Sequence, residues 1–386
     1  MNSRSPFTYP DYYLRNSLTL IRGGAPYFEV LEDLINRARH YLYLQVYIFE
    51  ADETGNRIRK ALERAAQRGV YVHVLADGYA SQGLPEAFIK SLAEAGVHFR
   101  FFEPLYRSRY FYFGRRLHHK VTVADGQRAL VGGINISDRY NDTTTYKAWL
   151  DWAVLAEGEV ASGLHNICAA RALSPWRIHP SRIPRPPAGK LPQTTMLAGI
   201  RVNDWVRGKQ EITLCYIKLI RQARKEVLLM SSYFFPGLRI RRQLVRAARR
   251  GVRVRVIVGG YSDVPLARHA ERYMYRWMLK NRMEIYEYQR NVLHAKVAVC
   301  DDSVTIGSYN LNEISERASV ELNLEVWHAD FAQTVRHRFE EIISRDCTRI
   351  TSYEIFSWHS QAIQWLTYMV IRFLLFLFTF YFRQRE

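Results

Sequence analysis

Polar and apolar positions change their period along this chain, and they do so twice in the same order. In LINRARHYLYLQVYIF (34–49) an amphipathic stretch gives way to a β-rich run, and LIRQARKEVLLMSSYFF (219–235) has the same form. Downstream, NRIRKALERAAQRGVYVHVLADGY (56–79) matches LRIRRQLVRAARRGVRVRVIVGGY (238–261). Each reads as an amphipathic helix closed by a glycine, Gly69 or Gly251, and followed by a β-branched strand. In the first helix Ile58, Ala61, Leu62 and Ala65 form the stripe expected to be buried. Strand–helix–strand order repeated in this way predicts an α/β fold made twice.

Between the copies lies RALSPWRIHPSRIPRPPAGKLPQ, where six of the thirteen prolines fall between Pro175 and Pro192. Such a stretch continues neither a helix nor a ladder, which places a linker at 173–195. The expected organisation is then a first domain over 1–172, a second over 196–350, and a tail over 351–386. The tail reads WLTYMVIRFLLFLFTFYF from Trp365 to Phe382, with Arg372 inside it. About 20 apolar residues are needed to span a bilayer, so this length is marginal and Arg372 counts against crossing. A helix lying in the membrane interface, or a short one with Arg372 reaching out to the headgroups, fits better. The alternative is a helix packed on the protein core.

Composition narrows the partner. A formal charge of +18 over 386 residues implies an anionic one, and nucleic acid and anionic lipid headgroups both qualify. The four cysteines, Cys168, Cys215, Cys300 and Cys347, lie far apart with no zinc-like spacing, which suggests reduced thiols in a cytosol-facing protein. The N-terminal MNSRSPFTYPDYYLRNSL lacks the apolar core of a signal peptide.

The chemistry is also duplicated. LHHKVTVADGQRALVGGINIS (117–137) is matched by LHAKVAVCDDSVTIGSYNLN (293–312). Side chains two apart on a strand share a face, so His118 points with Lys120, and His294 with Lys296. His119 points the other way with Val121 and Val123, and the second copy has Ala295 in its place; His119 is filler. Asp125 has the wrong parity for the His118 face and sits in an Asp-Gly turn signal, as Asp301 does before Asp302 and Ser303. A turn cap and a catalytic carboxylate remain equally good readings of both. The glycines of Gly132-Gly133-Ile134-Asn135 and Gly307-Ser308-Tyr309-Asn310 allow a ligand close to the backbone, where Asn135, Ser308 and Asn310 offer donors.

Lysines and asparagines suit phosphate oxygens, and two imidazoles on opposite sides of phosphorus suit in-line displacement. One would attack, while the other protonates the leaving alkoxide and then deprotonates the incoming hydroxyl. Nothing in the pattern calls for a metal or another cofactor.

These motifs resemble the HKD signature of the phospholipase D superfamily, and residues 18–350 are similar to bacterial cardiolipin synthases of the short type. Tyr47-Ile48-Phe49-Glu50, Ala76-Asp77-Gly78-Tyr79 and Tyr233-Phe234-Phe235-Pro236 support the likeness. The resemblance implies two α/β sandwich domains about a pseudo-two-fold axis, with the site at their interface and a phosphohistidine formed without metal. It also implies catalytic roles for His118, Lys120, Asp125, His294, Lys296 and Asp301. A carboxylate downstream of each motif would orient a histidine, at Asp151 in Trp149-Leu150-Asp151 and Glu325 in Asn323-Leu324-Glu325. Two departures stand out: five residues separate Asp301 from Gly307 where six separate Asp125 from Gly132, which lets Asp302 serve for Asp301, and Gly133 replaces the usual serine.

Ahead of each motif runs a basic, aromatic approach, Tyr106–Arg116 and Arg268–Arg290. Interleaved rings and guanidinium groups suit a lipid interface, and they would also suit stacking on single-stranded nucleic acid. The apolar tail favours lipid. The expectation is therefore a phosphatidyltransferase joining two phosphatidylglycerols, peripheral on the cytoplasmic side of a bacterial cell membrane, with no nucleic-acid partner. A hydrolytic phospholipase D and a nuclease are the alternatives.

Overall fold

A computed structural model describes residues 12–104, 115–173, 184–186, 189, 191–262, 264–312, 315–316, 319–353 and 357–383. The approach over 106–114 and most of the proline-rich stretch lie outside the described residues.

Two sheets are built on one plan. In the first the strand order is Asn16–Arg22, Trp152–Gly158, Arg128–Gly132, Val121–Ala124, Tyr41–Val46, Tyr71–Asp77 and His98–Phe102. In the second, Leu197–Asp204, Ser319–Trp327, Ser303–Gly307, Lys296–Cys300, Glu226–Ser231, Arg253–Tyr261 and Glu284–Val292 follow in the same order, with Tyr12–Tyr13 and Cys347–Ile350 added at the edges. Within each sheet the three strands joined by crossover helices pair in parallel, and the motif hairpin and its neighbours pair antiparallel.

The helices form where the hydrophobic period predicts them. Glu53–Gln67 starts where the Asp52 carboxylate accepts the Gly55 N–H, and it buries Ile58, Ala61, Leu62 and Ala65. Leu238–Arg249 buries Ile240, Leu244 and Ala247. Both helices end at a glycine with positive φ, 88° at Gly69 and 86° at Gly251, a conformation that costs a side chain strain. Together with Ala25–Arg37, Glu86–Glu94, Glu211–Gln222 and Pro265–Lys280 they cover the outer faces of the sheets.

The inner faces turn toward each other. Val121, Val123, Val131 and Val154 of the first sheet share one continuous core with Val297, Val299, Ile306 and Leu324 of the second. Helices Glu159–Leu173 and Ala329–Asp346 contribute Leu164, Cys168, Phe331 and Phe339 to it. Each such side chain contributes about 1.5–3 kcal/mol on burial, so this shared layer fixes the halves against each other. It also fixes whatever lies at their seam.

The tail forms the helix Trp358–Arg383, which packs beside Pro265–Lys280 with the rings of Tyr368 and Tyr273 4.7 Å apart. Gln364 and Thr367 are buried, whereas Trp358, Ile363, Trp365, Leu366, Met369, Val370 and Phe373 are exposed. Among the described residues no helix is long and apolar enough to cross a membrane.

Candidate active site

Each half reaches across the seam in the same way. Leu117 pairs in parallel with Val320, and the His118 N–H donates to the Val320 carbonyl at 2.9 Å. In the mirror arrangement Leu293 bridges in parallel to Leu150, and the His294 N–H donates to the Leu150 carbonyl at 2.8 Å. The next residue on each accepting strand is a carboxylate. His118 Nδ1 lies 2.8 Å from Glu321 Oε2, and His294 Nδ1 lies 2.7 Å from Asp151 Oδ2. Every imidazole is thus held by an acid of the other half. An Nδ1–H given to a carboxylate leaves the Nε2 lone pair for chemistry.

Glu325 is not the second orienting acid. Its carboxylate takes the Arg201 Nε at 2.5 Å, the Tyr12 hydroxyl at 2.7 Å and the Trp327 indole N–H at 2.8 Å, a buried structural pair four residues from the seam. The similar triplets Trp149-Leu150-Asp151 and Asn323-Leu324-Glu325 misled by composition. Counting back from the next helix finds the correct partner, because Asp151 precedes Glu159 by eight residues and Glu321 precedes Ala329 by eight.

Asp125 and Asp301 stand apart from the imidazoles as turn caps. Asp125 accepts the N–H groups of Arg39, His40 and Tyr41 at 2.7–2.9 Å, and Asp301 those of Arg224, Lys225 and Glu226 at 2.7–3.0 Å. Both have positive φ, 54° and 48°, which short polar side chains tolerate in tight turns. Asp302 makes the same turn, its carbonyl accepting the His328 N–H. The three-donor grip explains why an aspartate recurs there: it ties the hairpin turn to the start of the neighbouring strand.

The lysines stay close. Lys120 Nζ donates to the His118 carbonyl at 2.9 Å and sits 5.0 Å from the centre of the Tyr47 ring, which meets His118 edge-on at 4.8 Å. Lys296 Nζ donates to the His294 carbonyl. His119 faces inward to Gln45 Oε1, and Ala295 is buried opposite, as the strand parity requires.

The expected phosphate donors are partly spent within the protein. Ser308 Oγ donates to Glu321 Oε2 and its carbonyl faces His118 Nδ1 at 3.0 Å. Asn135 accepts the Ile48 N–H and donates to the Tyr140 hydroxyl, so both ends of its amide are engaged. Asn310 accepts the Ser232 hydroxyl on its carbonyl oxygen, which leaves its NH₂ group as a donor. At the position of Ser308 the first half has Gly133, and a Cβ there would come within 2.5 Å of the Asp151 carboxylate. The glycine makes room for the acid; the serine bonds to one.

Sequence reasoning missed Tyr140. Its hydroxyl receives Asn135 Nδ2 at 2.9 Å and lies 3.5 Å from His294 Nε2, with its ring edge-on to the imidazole at 5.0 Å. No partner of this kind faces His118 Nε2 among the described residues, so the pseudo-symmetry breaks here. It also missed Asp77, which accepts the Leu117 N–H at 2.8 Å and steadies the residue before His118. The second half has Gly259 at that place.

Burial dominates the electrostatics. It depresses His118, offset in part by Glu321 and reinforced by Lys120 and Lys296. It pushes His294 well down, with Lys296, Lys120 and His118 adding to the effect. It raises the Asp151 carboxyl to about 7 against the pull of Lys296, and it pushes Lys120 well down. Each histidine therefore feels the opposite lysine, and His294 feels His118: the two motifs share one electrostatic site. Burial and the neighbouring cations bias both imidazoles toward the neutral form, while the raised Asp151 carboxyl lets the His294–Asp151 pair hold a further proton.

The second basic approach is divided: Arg276, Lys280, Arg282 and Arg290 are exposed, whereas Arg268 turns inward. Arg268 is buried and gathers Glu271, Glu287 and the Tyr275 hydroxyl, and Glu271 accepts the Phe234 N–H. Burial of its carboxylates calls for a paired cation, and Arg268 supplies it.

Two halves built on one plan with crossed imidazole–carboxylate pairs make a phospholipase D-like site, and the likeness to cardiolipin synthases makes the chain a phosphatidyltransferase. Residues 31–147 and 216–343 match the family model described as "Cardiolipin synthase, PLD-like domain", and the chain belongs to that family. It is 35% identical to cardiolipin synthase B of Escherichia coli K12 over 346 residues, 87% of this chain and 82% of that one. It is 29% identical to the cardiolipin synthase of Geobacillus thermodenitrificans over 341 residues, 85% of this chain and 66% of that one. In fold it resembles the phosphatidylserine synthase of Haemophilus influenzae Rd KW20, with a TM-score of 0.72 at 17% identity over 92% of this chain and 93% of that one.

Proposed function

We propose that this enzyme is a cardiolipin synthase that passes a phosphatidyl group from one phosphatidylglycerol to another and releases glycerol. His118 Nε2 attacks phosphorus and the P–O bond to glycerol breaks. The His294–Asp151 pair enters this step holding a second proton, so that His294 carries N–H on Nε2 as well as on the Asp151 side, and it gives the Nε2 proton to the departing alkoxide. The terminal hydroxyl of the second phosphatidylglycerol then loses its proton to His294 and attacks the phosphohistidine, and cleavage of the P–N bond restores His118. Lys120, Lys296 and the Asn310 amide neutralise the equatorial oxygens as charge develops on them.

The observation that carries this reading is the pair of seam-crossing carboxylates, Glu321 on His118 and Asp151 on His294. It gives the two imidazoles matching orientations, and the Tyr140 hydroxyl beside His294 Nε2 gives them different roles. The His294 side, where a hydroxyl already serves as hydrogen-bond partner, suits proton transfer; the His118 side suits attack. Transfer in place of hydrolysis requires that water lose to a lipid alcohol, and a membrane-docked mouth favours that outcome. The exposed Trp358, Trp365, Leu366 and Phe373 of the tail helix support peripheral docking on an anionic membrane.

Mass spectrometry of lipids after incubation of the purified chain with phosphatidylglycerol tests the proposal. Cardiolipin and free glycerol are expected, with both lost in His118→Ala and His294→Ala. Phosphatidic acid without cardiolipin would make the enzyme a hydrolase, and full activity in either variant would end the paired-imidazole mechanism.

A further inference from the structure

Behind Asp151, on the side away from His294, lies a cleft of about 310 Å³. Its floor is apolar, with Leu20, Leu150, Trp152 and Ile342, and its rim carries Arg22, Arg290, Arg338 and Arg345 with Glu341 and Asp346. Arg338 pairs with Glu341 at 2.9 Å and Arg290 lies 3.8 Å from Asp346. Arg22 and Arg345 are exposed and have no carboxylate at ion-pair distance among the described residues. Arg345 acts on Glu341 only from beyond ion-pair distance, and the four guanidinium groups of the rim outnumber its two carboxylates.

The pseudo-two-fold axis supplies a comparison within the molecule. The cleft is assembled from the segment before His294, the edge strand Asn16–Arg22 of the opposite half, and helix Ala329–Asp346. Behind Glu321 the equivalent pieces meet: the segment before His118, the edge strand Leu197–Asp204, and helix Glu159–Leu173. There Arg115, Arg171 and Arg207 converge on Asp204, which is fully buried and accepts Arg115 at 2.9 and 3.2 Å, with Arg171 at 3.6 Å and Arg207 at 3.7 Å. One half-site keeps its own carboxylate among its arginines. The other sets its carboxylates, Glu341 and Asp346, at the rim beside four arginines and leaves the space between them open.

We infer that this cleft is a second anion site, which takes a phosphate group carried on an amphiphile or free in solution. Guanidinium forks match phosphate oxygens in pairs, and the apolar floor suits the glycerol or acyl portion next to a headgroup. The site's position has a consequence for the chemistry. Leu150 and Trp152 line it and flank Asp151, which holds His294, so an occupant bears on the backbone that sets the His294 pair. That coupling rests on the role of His294 proposed above; the anion site itself does not.

Isothermal titration of the full chain with inorganic phosphate, and separately with sn-glycerol 3-phosphate, tests the inference. Two sites per chain are expected, of which the Arg22→Gln/Arg345→Gln double variant loses one, through weakening of about tenfold or more as charge-assisted bonds are removed. His118→Ala keeps the cleft site, so loss of cardiolipin synthesis and loss of the second anion site are scored independently. Sedimentation with phosphatidylglycerol vesicles separates the sources: a defect of the double variant confined to vesicles assigns a lipid headgroup, and a defect with the soluble ligands too assigns free phosphate as well. Unchanged binding in all three measurements overturns the inference. Should the variant not fold, a tungstate soak of crystals of the unaltered chain decides: density between Arg22 and Arg345 supports the site, and density at His118 and His294 alone rejects it.

Discussion

Asp151 Oδ2 lies 2.7 Å from His294 Nδ1, although the two residues belong to different halves of the chain and are separated by the whole of the linker. The counterpart pair, Glu321 and His118, crosses in the opposite direction. Replacement of Glu321 by Gln keeps the shape and removes the charge that stabilises an imidazolium. Activity is expected to fall by about two to four orders of magnitude with little change in melting temperature. Lipid product rates beside a thermal melt check this.

Glu325→Gln is expected to do the reverse. Arg201 would be left buried without its carboxylate, at a cost of about 3–5 kcal/mol, and the rate per folded molecule would stay near that of the native chain. Urea denaturation separates this variant from Glu321→Gln.

The same separation applies to the HKD aspartates. Asp125→Ala and Asp301→Ala each strand three backbone N–H groups, and a stability loss of about 1–3 kcal/mol is expected for each, with activity in proportion to the folded fraction. An intact melting curve with no turnover would instead place these carboxylates in the chemistry.

Tyr140→Phe removes the hydroxyl beside His294 Nε2 and leaves the ring that packs on it. The expected result is a fall in kcat of about tenfold, within the range for a single proton-transfer contact, and an acid limb of the pH–rate profile displaced relative to the native enzyme. An unchanged profile would make Tyr140 a packing residue only.

Acid should loosen the fold. His73, His118, His119 and His165 are held below their ordinary range chiefly by burial, His73 at about 4. The unfolded chain therefore binds more protons than the native one once pH drops below about 6.5, the ordinary histidine value. Stability contributed by these neutral imidazoles is complete above that value and is lost as pH falls toward the native values. The raised carboxyls of Asp151, Glu271, Asp77 and Glu103 act with the opposite sign, since the native chain there holds protons that the unfolded chain releases. His294 is lowered in the same way, so five imidazoles stand against four carboxyls, and a modest drop in melting temperature is expected between pH 7 and pH 5. Calorimetry across that interval gives the sign directly.

How much of this could be read from the residues follows from the range of each interaction. The helix stripes, the strand parity that sets His118 apart from His119, and the duplication are all local and periodic, and they were legible. Asp151 was legible through the resemblance, whereas Glu321 and Glu325 lie four apart on one strand and share a face, so they differ only in how far they stand from the seam. Tyr140, Asp77 and the Asp204 cluster depend on contacts between segments far apart in sequence, with no spacing to announce them. In the approach over Arg268–Arg290 the exposed cations were legible as a surface, while Arg268 and Arg272 meet Glu287 only once helix Pro265–Lys280 packs on strand Glu284–Val292.

The continuous core between the two sheets has a bearing on how the molecule is made. Until a ribosome has delivered the strand Ser319–Trp327 and helix Ala329–Asp346, the inner face of the first sheet, with Val121, Val123, Val131 and Val154, is covered only by helix Glu159–Leu173. A nascent first half is therefore a sticky intermediate that must be shielded through most of translation, and a premature stop near the linker would yield an aggregating fragment, not a half-active enzyme.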